Sequence, residues 1–399
     1  MPGPPEIDPT DPAVLDDPFR AYAPARERGP VARLAAPGMP PMWGVLRHAE
    51  ARAVLSAPER FALGPASYAF RLDVAEDLQP YLRTVQEMEG PAHTRLRRLV
   101  APAFTPRRAA RFRPRIEPIV QALVDDLVAH AADGPADLLP HLAHPLPMAV
   151  ICQLVGIPPA DRARWQRYGT ALATGDGGRF AAAFPEIVRD ARAAVEARRR
   201  APADDGPGDV VSDLVRVHDE DGDRLSDVEL VALVWLLVLA GQTPANLIAN
   251  AVEALLAHPA QLAALRADPA LAAGAVDELI RWCSPQLLTI PRIAVRDVEL
   301  AGVPVSRGDL VTVVVPAVNR DPRVFPDPDT LDITRAGAAA HLGFAHGPHF
   351  CLGAAFARVE TEVALTTLLR RAPGLALAPG VRRAPDGGTW RLAALPVTL

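Results

Sequence analysis

The chain has 399 residues, of which 47 are acidic and 42 basic, for a formal net charge of −5 at pH 7, and all 42 basic residues are arginine. Without lysine there is no Schiff-base nucleophile, no pyridoxal-phosphate anchor and no phosphate-loop lysine, and a mildly acidic chain lacks the overall footprint of a nucleic-acid binder. Proline, at 43 residues, is roughly twice as frequent as usual, while 49% hydrophobic and 22% charged residues describe an ordinary globular composition.

In chain order, the N-terminus lacks a basic segment followed by an apolar one, so no secretory leader is expected. Short runs around residues 30–34 and 42–45 predict strands, and apolar residues at helical spacing predict helices over 112–132 and 187–200. Residues 201–209, rich in Pro, Gly and Asp, read as a surface loop. Ser226 and Glu229 then form a capping box in front of a helix expected over 226–258. Its apolar stretch, residues 230–241, falls short of the ~20 that a membrane span needs and reads as a buried core helix. In the middle of that helix Pro244 has no N–H for the Ala240 carbonyl and Gly241 weakens the backbone, which predicts a local opening with free carbonyls. A helix over 271–284, strands at 298–300 and 310–315, and a helix over 352–371 complete the pattern. The reading is mainly α with a minor β part, one domain over residues 1–399. Three cysteines, an odd number, cannot build a disulfide framework and point to a reducing compartment. The expectation is a cytoplasmic monomer that binds neither membrane nor nucleic acid.

Chemistry concentrates at Phe344-Ala345-His346-Gly347-Pro348-His349-Phe350-Cys351-Leu352-Gly353, where two glycines and a proline bracket one cysteine just ahead of a helix. A sulfur there meets unpaired N–H groups and the positive end of the helix dipole, which favour thiolate. Cys152 and Cys283 read as small buried hydrophobes.

The run Phe-x-x-Gly-x-His-x-Cys-x-Gly closely resembles the haem-binding loop of the cytochrome P-450 family, in its soluble actinobacterial form. Ala92-His93-Thr94-Arg95-Leu96-Arg97 resembles the family's haem-flanking helix, Glu278-Leu279-Ile280-Arg281 its Glu-x-x-Arg helix, and residues 318–322 and 325–329 its meander. The resemblance implies a P-450 fold with haem b between a long central helix and the cysteine-loop helix. It implies Cys351 as the axial metal ligand, pushing electron density onto iron, with Phe344 and Gly353 shaping the loop. His93, Arg97, Arg292 and His349 become candidates to hold the propionates, and Glu278 with Arg281 a structural ion pair. Thr243 and Gln242 take the oxygen-activating positions. A substrate pocket is expected from Ala240, Gly241, Leu287, Leu288, Ile290 and Trp390, with residues 62–81 and 165–184 nearby. The implied activity is monooxygenation of a bulky hydrophobic natural product, a polyketide, macrolide or peptide, with electrons from a ferredoxin and its reductase.

Three departures stand out. Gln242 replaces the usual acid and cannot carry a proton at neutral pH. Ala345 replaces a common glycine, which reads as a small change. Thr330 and Leu331 replace a frequent Arg-Phe pair, leaving Arg335 as a stand-in partner for Glu278. Residues 92–115 carry eight arginines and no acid, a pattern that suits docking of an acidic partner. Gln242 suggests one-electron coupling or ring formation as an alternative, and a non-catalytic haem-thiolate binder is another, against which the retained Thr243 counts.

Overall fold

A computed structural model of the chain describes residues 3–63, 73–173, 177–200, 209–220, 225–384 and 388–399. The loop expected at 201–209 lies almost wholly outside these residues, as do residues 64–72 and 174–176 of the expected pocket segments.

Helices form the larger layer. The apolar stretch after Ser226 becomes the helix Asp227–Ala240, and both halves of its capping box are made: the Ser226 N–H donates to Glu229 Oε2 at 2.8 Å and the Glu229 N–H to Ser226 Oγ at 3.2 Å. Nine of its 14 residues are buried, because it is apolar on every side and runs through the centre. Helices Pro145–Val155, Arg162–Ala173 and Gly177–Arg200 pack around it. After a break at residues 241–243 the chain resumes as Pro244–Ala257, packed on Ala272–Cys283 and Ala354–Arg371. Together these two helices are long and apolar enough to cross a membrane, but just over half of that apolar window is buried inside the protein, as in a core helix.

Two helices begin earlier than their apolar periodicity suggests. Pro106–His130 starts where Thr105 caps the Arg108 N–H and Pro106 takes the first helical position, where a missing N–H costs nothing. Gly177–Arg200 carries Pro185 inside it.

The β layer is a six-stranded sheet in the spatial order Glu6–Ile7, Val31–Ala36, Met39–Val45, Leu310–Val313, Arg292–Ala294, Phe61–Ala62. Its centre is the hairpin pairing Val31 with Val45 and Leu34 with Met42, extended in parallel by Met42↔Leu310 through Val45↔Val313. This sheet fixes Arg292 at the head of a strand facing the helical layer.

Candidate active site

The helical and sheet layers enclose a cavity of about 480 Å³. Cys351 opens into it from the loop ahead of the helix Ala354–Arg371. That loop closes on itself where the Cys351 N–H donates to the Phe344 carbonyl at 2.9 Å and the Ala345 N–H to Leu342 at 2.9 Å. Gly347 has φ +74°, and a Cβ there would come within 2.6 Å of the Leu55 carbonyl, so only glycine fits. Ala345 also adopts a left-handed conformation, φ +59°, so its replacement of glycine is more than a small change. Phe344 is held between His341, Phe350 and the guanidinium of Arg358.

The electrostatics of the sulfur correct one expectation. Burial pushes the Cys351 thiol up, against the N–H groups of Gly353 and Ala354 and the guanidiniums of Arg97 and Arg358, which pull it down. Burial outweighs the helix end and both guanidiniums. A metal would reverse the balance, since a coordinating thiol is deprotonated outright.

Beside the sulfur lies a basic cradle. The rings of His93 and His349 stack with centroids 4.2 Å apart. Arg97 reaches the Phe350 carbonyl, and Arg292 lies 3.5 Å from that of Phe61. Burial, with His349 and Arg97 close by, drives the His93 pKa down to about 4, and burial depresses both guanidiniums. His93 Nε2 and Arg292 Nε are buried without a hydrogen-bond partner among the described residues, and His349 Nε2 faces Glu89. Glu89 is the acid of the cradle. Burial works to raise its carboxyl, but His349, 3.2 Å away, and the Leu63 N–H outweigh that and hold it below its ordinary range. Two orphaned groups, His93 Nε2 and Arg292 Nε, with the Arg97 guanidinium, fit an anionic ligand, and Cys351 beside them offers a sulfur to a metal.

The opposite wall is the break in the central helix. The Gln242 and Thr243 N–H groups bond three residues back, to Leu239 at 3.4 Å and Ala240 at 3.3 Å, and Thr243 Oγ1 also donates to the Ala240 carbonyl at 3.0 Å. The Ala240 carbonyl, expected to be free, is therefore occupied by the threonine. A Cβ on Gly241 would collide with Ile151, which explains the glycine.

Ala240, Gly241, Thr243, Leu288, Ile290, Arg97, Arg292, Phe344, His349, Cys351 and Gly353 all line the cavity. His93 stands behind His349. Three further expected residues do not line it. The Gln242 side chain turns out of the cavity and seats against Gly169, its Nε2 without a partner among the described residues. Leu287 is buried in the core, its backbone tied to Gly388 and Val315. The Trp390 ring lies between Phe19, at 5.7 Å, and the Arg383 guanidinium, at 3.9 Å.

One residue went unnoticed in the sequence. Glu360 lines the cavity, buried, its Oε1 without a partner among the described residues and its pKa pushed up to about 8 by burial. The signal was present: Phe356, Ala357 and Glu360 fall on one face of the helix, with the acid interrupting an otherwise apolar stripe.

Behind the loop, the Glu278 carboxylate receives Arg281 bidentately at 2.6 and 2.8 Å, Arg335 Nε at 3.1 Å and the Asp332 N–H at 3.0 Å. Arg335 thus occupies the third place in this buried cluster. The arginine-rich stretch is less uniform than its sequence. Arg95 pairs with Glu229, Arg108 with Asp213 and Arg113 with Glu362 at 2.6 Å, Arg97 turns inward, and Arg98, Arg107 and Arg111 are exposed.

Comparison with known proteins agrees with this geometry. A family model described as cytochrome P450 matches residues 264–372. The chain is 42% identical to the cytochrome P450 monooxygenase PikC of Streptomyces venezuelae, over 90% of this chain and 85% of PikC. It is 40% identical to the mycinamicin IV hydroxylase/epoxidase of Micromonospora griseorubida, over 89% and 88%. Among solved structures it resembles the cytochrome P450 PksS of the bacillaene polyketide synthase from Bacillus subtilis 168, with a TM-score of 0.88 and 32% identity over 98% of this chain and 99% of that one.

Proposed function

The chain belongs to the cytochrome P450 family, haem b-binding monooxygenases, and from that premise we propose how its own residues divide the work of oxidising a bulky hydrophobic natural product. A thiolate-bound haem supplies reductive activation of dioxygen and insertion of one oxygen atom into substrate. Cys351 would hold the iron. The N–H groups of Gly353 and Ala354 point at its sulfur and temper the charge there. Arg97, Arg292, His93 and His349 would take the propionates, with His93 Nε2 and Arg292 Nε filling hydrogen-bonding positions that the described residues leave open. Thr243 is the hydroxyl that the broken helix brings to the cavity wall; its own proton goes to the Ala240 carbonyl, so Oγ1 would accept and hold a proton arriving in the cavity. Gln242 would act at one remove: its amide lies against Gly169, next to the break that presents Thr243.

The walls favour a large apolar substrate. Ile151, Leu236, Leu288 and Ile290 face the Cys351 side with few polar groups between them. The relatives named for mycinamicin and for a polyketide synthase support a macrolide or related polyketide, and oxygen insertion, hydroxylation or epoxidation, as the outcome. Electrons would come from a ferredoxin and its reductase, docking where Arg98, Arg107 and Arg111 stand exposed beside the cysteine loop. The protein would work as a single-domain monomer in the cytoplasm.

The observation that carries this reading is Cys351 opening into a cavity whose neighbouring wall is a cradle of orphaned basic groups. Its test is the spectrum of the reduced protein under carbon monoxide. The Soret shift diagnostic of thiolate ligation is expected in the native chain and should vanish in Cys351→Ala. A native protein without that shift, or a variant that keeps it, would overturn the assignment. Thr243→Ala should then keep the shift while diverting electrons from product to peroxide. Unchanged coupling would remove Thr243 from the proton path.

A further inference from the structure

A second cluster lies at the far end of the molecule. The last turn of the helix Pro106–His130 carries Asp126 and His130, four residues apart on one face, and the five-residue turn Leu139–Ala143 brings His141 across to them. Asp126 Oδ2 is 2.7 Å from His141 Nδ1, Asp126 Oδ1 is 3.5 Å from His130 Nδ1, and the two rings stack with centroids 4.1 Å apart. One ligand atom from each residue lies within 4.8 Å of the other two, and among the described residues this is the one place where three such groups converge.

We infer that Asp126, His130 and His141 form a site for a divalent transition-metal ion of the zinc, copper or nickel type. Two imidazoles and a carboxylate are the donor set those ions prefer, whereas magnesium and calcium take all-oxygen sites. His130 Nδ1 also lies 2.8 Å from the backbone carbonyl of Asp126. If that nitrogen carries the proton, the ring is oriented and Nε2 is left as a lone-pair donor. The helix C-terminus adds its negative dipole end. The ligands come from two successive elements, so a bound ion would clamp the helix end to the turn that follows. Arg371, at the end of Ala354–Arg371, pairs with Asp125 beside the site. The 18 residues of that helix put the metal on the order of 27 Å from the cysteine loop. The ion would therefore act on stability and leave the haem chemistry untouched.

The test is calorimetric titration of Zn²⁺ into the haem-loaded protein. One equivalent should bind with an affinity on the order of micromolar, and the melting temperature should rise with zinc concentration. His130→Ala and His141→Ala should each weaken binding at least about tenfold while the visible spectrum of the haem stays unchanged, since neither residue touches the cavity. With Cu²⁺ as the probe, electron paramagnetic resonance should show hyperfine splitting from two imidazole nitrogens. No saturable binding below about 1 mM, or equal binding in the His130→Ala/His141→Ala double variant, would overturn the site.

Discussion

At position 345 the backbone takes φ +59°, where a Cβ crowds the following carbonyl and costs roughly 1–2 kcal/mol against glycine. Part of that cost is offset because glycine loses more backbone entropy on folding. Ala345→Gly should therefore stabilise the protein by about 0.5–1 kcal/mol, read as a higher urea midpoint at constant slope. A lower midpoint would show that the methyl makes packing contacts worth more than the strain. Glu360 gives a second prediction at this scale. Its folded pKa, about 8, lies above the ordinary 4.5, so the folded chain binds the extra proton. Stability contributed by this group is complete below pH 4.5 and falls as pH rises toward 8, by up to about 1.4 kcal/mol per pH unit. Glu360→Gln should flatten that slope and be the more stable protein at pH 8. Parallel pH profiles for the two proteins would contradict the burial argument. The carboxyl was hidden from sequence reasoning because an acid on a helix is usually solvated, and only packing shows that this one faces inward.

Elements show where the sequence was legible and where it was not. The Glu278 cluster was readable as an i,i+3 pair, yet such pairs cover most helix surfaces. Its weight comes from burial, since Glu278 and Arg281 are fully enclosed. Arg335→Ala should cost about 2–3 kcal/mol, because the buried Glu278 loses one charged donor and the carbonyls of Pro326, Asp327 and Thr330 each lose an arginine donor. Arg281→Ala, which removes the bidentate partner and leaves the buried carboxylate only Arg335 and the Asp332 N–H, should cost about 3–5 kcal/mol. Denaturant curves in which the two variants are equally stable would show that the cluster does not depend on Arg281. The break at 241–243 was also legible, from Gly241 and Pro244. The direction of Gln242 was not, because the three-residue bonding there turns side chains off the regular helical spacing that a sequence argument assumes. Leu287 and Trp390 were misplaced for a related reason: nearness in sequence to cavity residues says nothing of which side of an extended segment a side chain takes.

On the scale of the whole molecule, arginine carries every basic task, and position sorts the roles. Some arginines are tied to acids on neighbouring helices, some face the cradle, and three of the 92–115 stretch are left at the surface. Substituting Arg98, Arg107 and Arg111 together by Glu should slow electron delivery from an acidic ferredoxin by about tenfold or more at low salt, with the native rate falling steeply as salt rises and the variant's barely responding. Equal salt dependence would place the docking face elsewhere. The carbon monoxide spectrum should be unaffected, since none of the three lines the cavity.

The interruption of the central helix also acts as a clock. The amides of Gln242, Thr243, Ala245 and Asn246 make bonds of 3.3–3.4 Å, while Gly241 bonds to Leu237 at 2.9 Å. Exchange of these four hydrogens with deuterated solvent should outrun that of the helical turns on either side. Occupancy of the cavity, by pressing on Thr243, should slow it, so that labelling at four neighbouring amides would report ligand entry without any turnover.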